Sequence, residues 1–97
     1  MNILTYLFSF RHISRIDDVS SMRSTGRDSY RYYEGDHSME IYAELSAGQP
    51  EREIAFGSIK CWEPPFENET ISEGKKKDIL SKVCKYFENN RITYTIR

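Results

Sequence analysis

Cysteine is scarce in this sequence, with Cys61 and Cys84 the only two. A disulfide scaffold is therefore excluded, since secreted domains of this size carry more cysteines. Both thiols are expected to be reduced and buried, Cys84 on the apolar stripe of a helix. Histidine is equally sparse. His12 and His37 have no metal-ligand spacing between them or toward the cysteines, so neither a zinc site nor any cofactor is indicated. Long apolar runs are missing too. The stretch Ile3-Leu4-Thr5-Tyr6-Leu7-Phe8-Ser9-Phe10 is too short to cross a bilayer and has neither a preceding basic residue nor a following cleavage pattern. It is read as a first strand or buried segment of a cytoplasmic chain that starts at Met1, with no membrane partner. Glu73-Gly74-Lys75-Lys76-Lys77 lacks the earlier glycine and the Ser or Thr of a phosphate-binding loop.

What is present suits one globular domain, residues 1–97. Hydrophobic residues make up 38%, aromatic 13% and charged 30%, enough apolar material for one core and no more. The net charge of −1 conceals an uneven distribution. Residues 1–33 hold five arginines against three aspartates, and residues 70–97 hold seven basic against three acidic groups. Between them Glu34, Asp36, Glu40, Glu44, Glu51, Glu53, Glu63, Glu67 and Glu69 face only Arg52 and Lys60, giving that segment −7. Such blocks bear on what a surface attracts.

Hydrophobic periodicity predicts the elements. Ile79, Leu80, Val83, Cys84 and Phe87 share one helical face, so a helix is expected over about residues 73–88. Thr70 or Ser72 is its candidate cap, and Asn89-Asn90 offers the left-handed residue that ends it. Met39, Ile41, Ala43 and Leu45 alternate with polar residues as in a half-buried strand. Residues 28–34 and 38–45 make a hairpin around Gly35-Asp36, and a further strand spans about 52–61 with Gly57 as a bulge. Ile92, Tyr94 and Ile96 alternate in a last strand. In residues 11–27, Ser and Asp clusters interrupt the apolar spacing, and only a short strand with loops is expected. The fold class is α+β: an antiparallel meander of four to five strands packed against one long C-terminal helix, then a final strand.

Three groupings of residues bear on function. His12, His37 and Lys60 are the residue types of a general acid–base ribonuclease, but nothing in their spacing brings them together, and no enzyme is expected. Lys75, Lys76, Lys77, Lys82 and Lys85 lie largely off the helix's apolar stripe; this face is either merely solvated or that of a small nucleic-acid-binding or regulatory module. The most distinctive element is Trp62-Glu63-Pro64-Pro65. Its prolines hold the chain extended, Trp62 is expected to pack beneath the crossover to the helix, and Glu63, Glu67 and Glu69 lie on a stiffened loop.

Glu34-Gly35-Asp36, Ile41-Tyr42-Ala43-Glu44-Leu45, Trp62-Glu63-Pro64-Pro65 and Ile71-Ser72-Glu73, with the closing helix and strand, resemble one family. It is that of the small bacterial immunity proteins of contact-dependent growth inhibition and polymorphic-toxin systems that carry a Trp-(Asp/Glu)-Pro-Pro motif. The resemblance covers about residues 20–97. Phe66 and Glu67 depart from the family's usual residues after the two prolines. The resemblance implies a non-enzymatic partner of a toxin domain, often a nuclease, and a nuclease must be cationic to hold phosphate, which suits an acidic inhibitor. Glu34, Asp36, Glu40, Glu63, Glu67 and Glu69 are the expected charged contacts to the toxin, and Tyr32, Tyr33 and Phe66 the expected apolar anchors. No nucleic-acid partner is expected.

Overall fold

Gly35 adopts φ +60° between Glu34 and His37, the left-handed conformation that a two-residue hairpin demands of its first central residue. Around it, strands Ser29–Glu34 (β3) and His37–Leu45 (β4) form the centre of the molecule. The computed structural model describes residues 13–97, so the first strand expected before Ile13, and His12 with it, lie outside the described residues. Among the described residues, Ile13–Arg15 (β1), Ser20–Ser24 (β2), β3, β4, Arg52–Ile54 (β5) and Tyr94–Ile96 (β6) form one sheet in the order β1-β2-β3-β4-β5-β6. Neighbours are antiparallel except β5 and β6, which are parallel. The helix Glu73–Asn89 (α1) lies in the connection between those two strands, as a parallel pair requires.

The expected α+β arrangement is present: β1 to β5 form an antiparallel meander, followed by the helix and the final strand β6. Residues 11–27 supply two of the strands where one short strand was expected. The Ser and Asp residues that obscured the pattern form the connecting turn: Asp17 Oδ1 accepts from the Val19 and Ser20 amides at 2.9 and 2.7 Å. The strand expected at 52–61 ends at Ile54 and becomes a 3-10 turn at Phe56–Ser58, so Gly57 is part of a turn and not of a bulge.

Alternation in the strands decides which residues meet the helix. Met22, Tyr32 and Met39 are cross-strand neighbours, as are Tyr30 with Ile41 and Ala43 with Ile54, and all are buried. Ile79, Val83, Tyr86 and Phe87 of α1 cover them, while Leu80 and Cys84 are half-buried. Tyr30 meets the Phe87 ring edge-on at 5.1 Å. Each fully buried aliphatic or aromatic side chain here contributes roughly 1.5–3 kcal/mol. Leu45, expected inward, is 38% exposed at the end of β4. Ser72 is the helix cap, its Oγ accepting from the Lys75 amide at 3.1 Å. At the other end the left-handed residue is Arg91, at φ 58°, and not an asparagine; Asn90 instead donates its side-chain amide to the Tyr86 carbonyl. Both cysteines are free thiols, but Cys61 is exposed, contrary to expectation, because the chain there has left the sheet.

Candidate partner-binding site

β5 pairs with β4 only along Ala43–Leu45, which leaves the opposite end of that β4 edge open. The Trp-Glu-Pro-Pro segment fills it: the Glu63 amide donates to the Ser38 carbonyl at 2.9 Å. Successive side chains on an extended chain point to opposite faces. Trp62 therefore turns to the helix side, where it is 6% exposed and stacks on Tyr32 at 6.4 Å between ring centroids. Glu63 turns to the other side, where its carboxylate accepts from the Arg31 guanidinium and from Ser38 Oγ. The loop then closes in two short turns, Phe66 N to the Glu63 carbonyl and Glu69 N to the Phe66 carbonyl, both 3.0 Å.

Those turns bring the loop against the β3–β4 hairpin. The Phe66 ring stacks on the His37 imidazole with centroids 3.7 Å apart and 16° between planes, and Trp62 meets the same imidazole edge-on at 5.1 Å. Nδ1 of His37 lies 2.9 Å from Asp36 Oδ1 and Nε2 lies 2.9 Å from Glu69 Oε1. The Glu69 hydrogen bond raises the imidazole's proton affinity most, and Asp36 adds to it; partial desolvation opposes both and is outweighed. His37 is a clasp between hairpin and loop. Both carboxylates remain open to a partner, since the Asp36 side chain is 80% exposed and that of Glu69 53%.

A family model described as immunity protein 74 matches residues 24–97, a span that contains this corner whole. The chain belongs to the immunity protein 74 family. No match was found among curated proteins or among solved structures. In this immunity protein 74 member, the described residues contain no group of His, Cys, Asp and Glu placed to hold a metal ion, and no helix long and apolar enough to cross a membrane.

The nine residues expected to meet a toxin are divided by the immunity protein's fold. Asp36, Phe66 and Glu69 come together at the corner, and Glu67 is exposed on the same loop. Glu34 does not join them: it points to the helix side, where Lys75 and Lys82 pair with it and the Tyr32 hydroxyl donates to it at 2.7 Å. Burial alone would raise the Glu34 proton affinity, but these donors outweigh it and hold the carboxyl below its ordinary range. Tyr32 is fully buried and is a core residue, with no surface for a partner. Glu63 is half-buried in its pair with Arg31, a structural role the sequence did not suggest. Glu40 and Tyr33 lie on the sheet's helix-free face, where Tyr33 accepts from Arg23 Nε at 2.8 Å.

Three further residues, His37, Lys75 and Lys82, gain roles that spacing did not reveal. His37, weighed with His12 and Lys60 as an acid–base candidate, has both ring nitrogens committed to carboxylates. The only local signal was its place directly after the Gly-Asp turn. Lys82 reaches Asp17, Glu34 and Asp78 at 3.4, 3.4 and 3.7 Å, and Lys75 reaches Glu34 and Asp78, so these lysines tie α1 to the β1–β2 turn and to β3. Lys76 pairs with Glu73. Lys77 and Lys85 are exposed.

Proposed function

We propose that this immunity protein neutralises a cognate bacterial toxin domain by binding it in a stoichiometric complex in the cytoplasm, without catalysis, and that the toxin is a cationic nuclease of a contact-dependent growth inhibition system whose active site is occluded. The observation that carries this reading is the corner: half-exposed Phe66 on a loop fixed by Trp62, Glu63 and two prolines, with Asp36 and Glu69 held at His37 beside it and exposed Glu67 next in the loop. A partner meeting this surface pays little for ordering it, and its phosphate-binding cations find opposite charge. The nucleic-acid reading has less support, because Lys75, Lys76 and Lys82 are engaged in intramolecular ion pairs.

The test is titration of the purified protein into its cognate toxin, with wild type against Phe66→Ala and Glu67→Lys. Glu67 forms no ion pair among the described residues, and the ring of Phe66 stacks on His37 without a hydrogen bond to it. Phe66→Ala should speed dissociation and Glu67→Lys should slow association in a salt-dependent way. Wild-type kinetics in both variants would remove the corner from the interface. Substrate turnover by the immunity protein alone would overturn the non-enzymatic reading.

A further inference from the structure

Among the described residues the sheet has one α-helix, and α1 covers the face carrying Met22, Tyr32, Met39 and Ile54. Apart from Glu34, His37 and Arg52, which lie on the helix side, register places the charged side chains of the strands on the opposite face. On β1, β2 and β3 these are Arg15, Arg23 and Arg31, with no carboxylate among them. On β4 and β5 they are Glu40, Glu44 and Glu53. Arg97, beyond β6, lies on that side and bridges Glu44 and Glu53 at 3.2 and 3.0 Å. Glu63, on the loop beside β4, reaches Arg31 on this face; the strand side chains otherwise divide along the β3–β4 line, arginines on one side and glutamates on the other. Apolar surface is interspersed: Ile13 is 46% exposed and Tyr42 40%, and Tyr33 is half-exposed.

We infer that the helix-free face is a self-association surface that takes a second copy of this chain, basic half against acidic half. A two-fold axis running parallel to the strands, between two facing sheets, exchanges left and right. It lays β1–β3 of one copy over β4–β6 of the other, and by symmetry the reverse contact forms at once. Facing sheets pack about 10 Å apart, a distance that long Arg and Glu side chains span. Six strands give a face only roughly 25 Å wide, so the dimer falls in the small, polar class of interfaces and depends on concentration and salt. The corner at Asp36, Phe66 and Glu69 lies at a turn, at the end of the strands, and stays available in each copy. This proposal is independent of the toxin-binding reading.

Sedimentation equilibrium of the full chain is the test, at low and at high salt. Wild type should dimerise at low salt and dissociate at high salt. Arg15→Glu with Arg23→Glu makes the face net acidic, and Glu40→Lys with Glu44→Lys makes it net basic. Each variant, checked for native circular dichroism, should self-associate about 100-fold more weakly, whereas an equimolar mixture of the two should recover the dimer. Arg31 is left intact because it holds Glu63. A wild type that stays monomeric at every concentration and salt overturns the proposal. Variants that dimerise like wild type do so as well, as does a mixture that fails to pair.

Discussion

Glu34 and Asp36 are separated by one glycine and have opposite surroundings. Glu34 faces the helix, is flanked by Lys75, Lys82 and the Tyr32 hydroxyl, and has a side chain 18% exposed. Asp36 projects from the hairpin tip with a side chain 80% exposed and pairs with the edge of His37. The first carboxylate is satisfied within the fold and anchors α1. The second has hydrogen-bonding capacity left for another molecule. A carboxylate's availability to a partner is set by what the fold has already placed beside it, not by the charge of the segment it belongs to.

Trp62→Ala is the change that should break this comparison most, because Trp62 underlies both the Tyr32 region and the His37 clasp. A loss of about 3–5 kcal/mol is expected in denaturant unfolding, together with loss of toxin binding. Glu34→Ala should cost roughly 2–3 kcal/mol by leaving two half-buried ammonium groups and a tyrosine hydroxyl short of their acceptor, with little effect on the toxin association rate. Asp36→Asn combined with Glu69→Gln should show the reverse pattern. Stability should change by less than about 1 kcal/mol, because both carboxylates are exposed, while stopped-flow association should slow about tenfold at low salt.

The two regions should also differ in pH response. The imidazolium form of His37 is favoured in the folded protein, so its contribution is complete below the unfolded value of about 6.5 and is lost as pH rises through the higher folded value. Melting temperature should fall across that window in wild type and hold level in the Asp36→Asn, Glu69→Gln double variant. The Asp17 turn behaves oppositely. Amide donation from Val19 brings its carboxyl down to about 2, so its contribution is present above the ordinary carboxylate range and disappears only as pH falls toward that value. The smallest effect belongs to the exposed Lys77: Lys77→Ala should stay within about 0.5 kcal/mol of wild type and leave toxin kinetics unchanged.

Legibility differed between elements for physical reasons. The helix, the hairpin and the burial of Trp62 followed from periodicity, from a glycine at the turn and from proline stiffness, all local properties. β5 was overextended, because alternation at Ile54, Phe56 and Ile59 does not reveal that the backbone turns at Phe56. Residues 11–27 were expected to hold one short strand and hold two, because Asp17 hydrogen-bonds to backbone amides and makes a polar segment a turn between strands.

By itself the sequence determined an α+β domain with one amphipathic helix, a rigid Trp-Glu-Pro-Pro crossover and an excess of carboxylates in its middle third. Local chemistry suffices for those, since each depends on residues a few positions apart. Only the tertiary structure decided which carboxylates remain available. Glu34 meets lysines more than forty positions away and Glu63 meets Arg31 across a strand, while Asp36 and Glu69 converge on His37. Pairing of that kind depends on distances that exist only once the helix and the loop are folded onto the sheet.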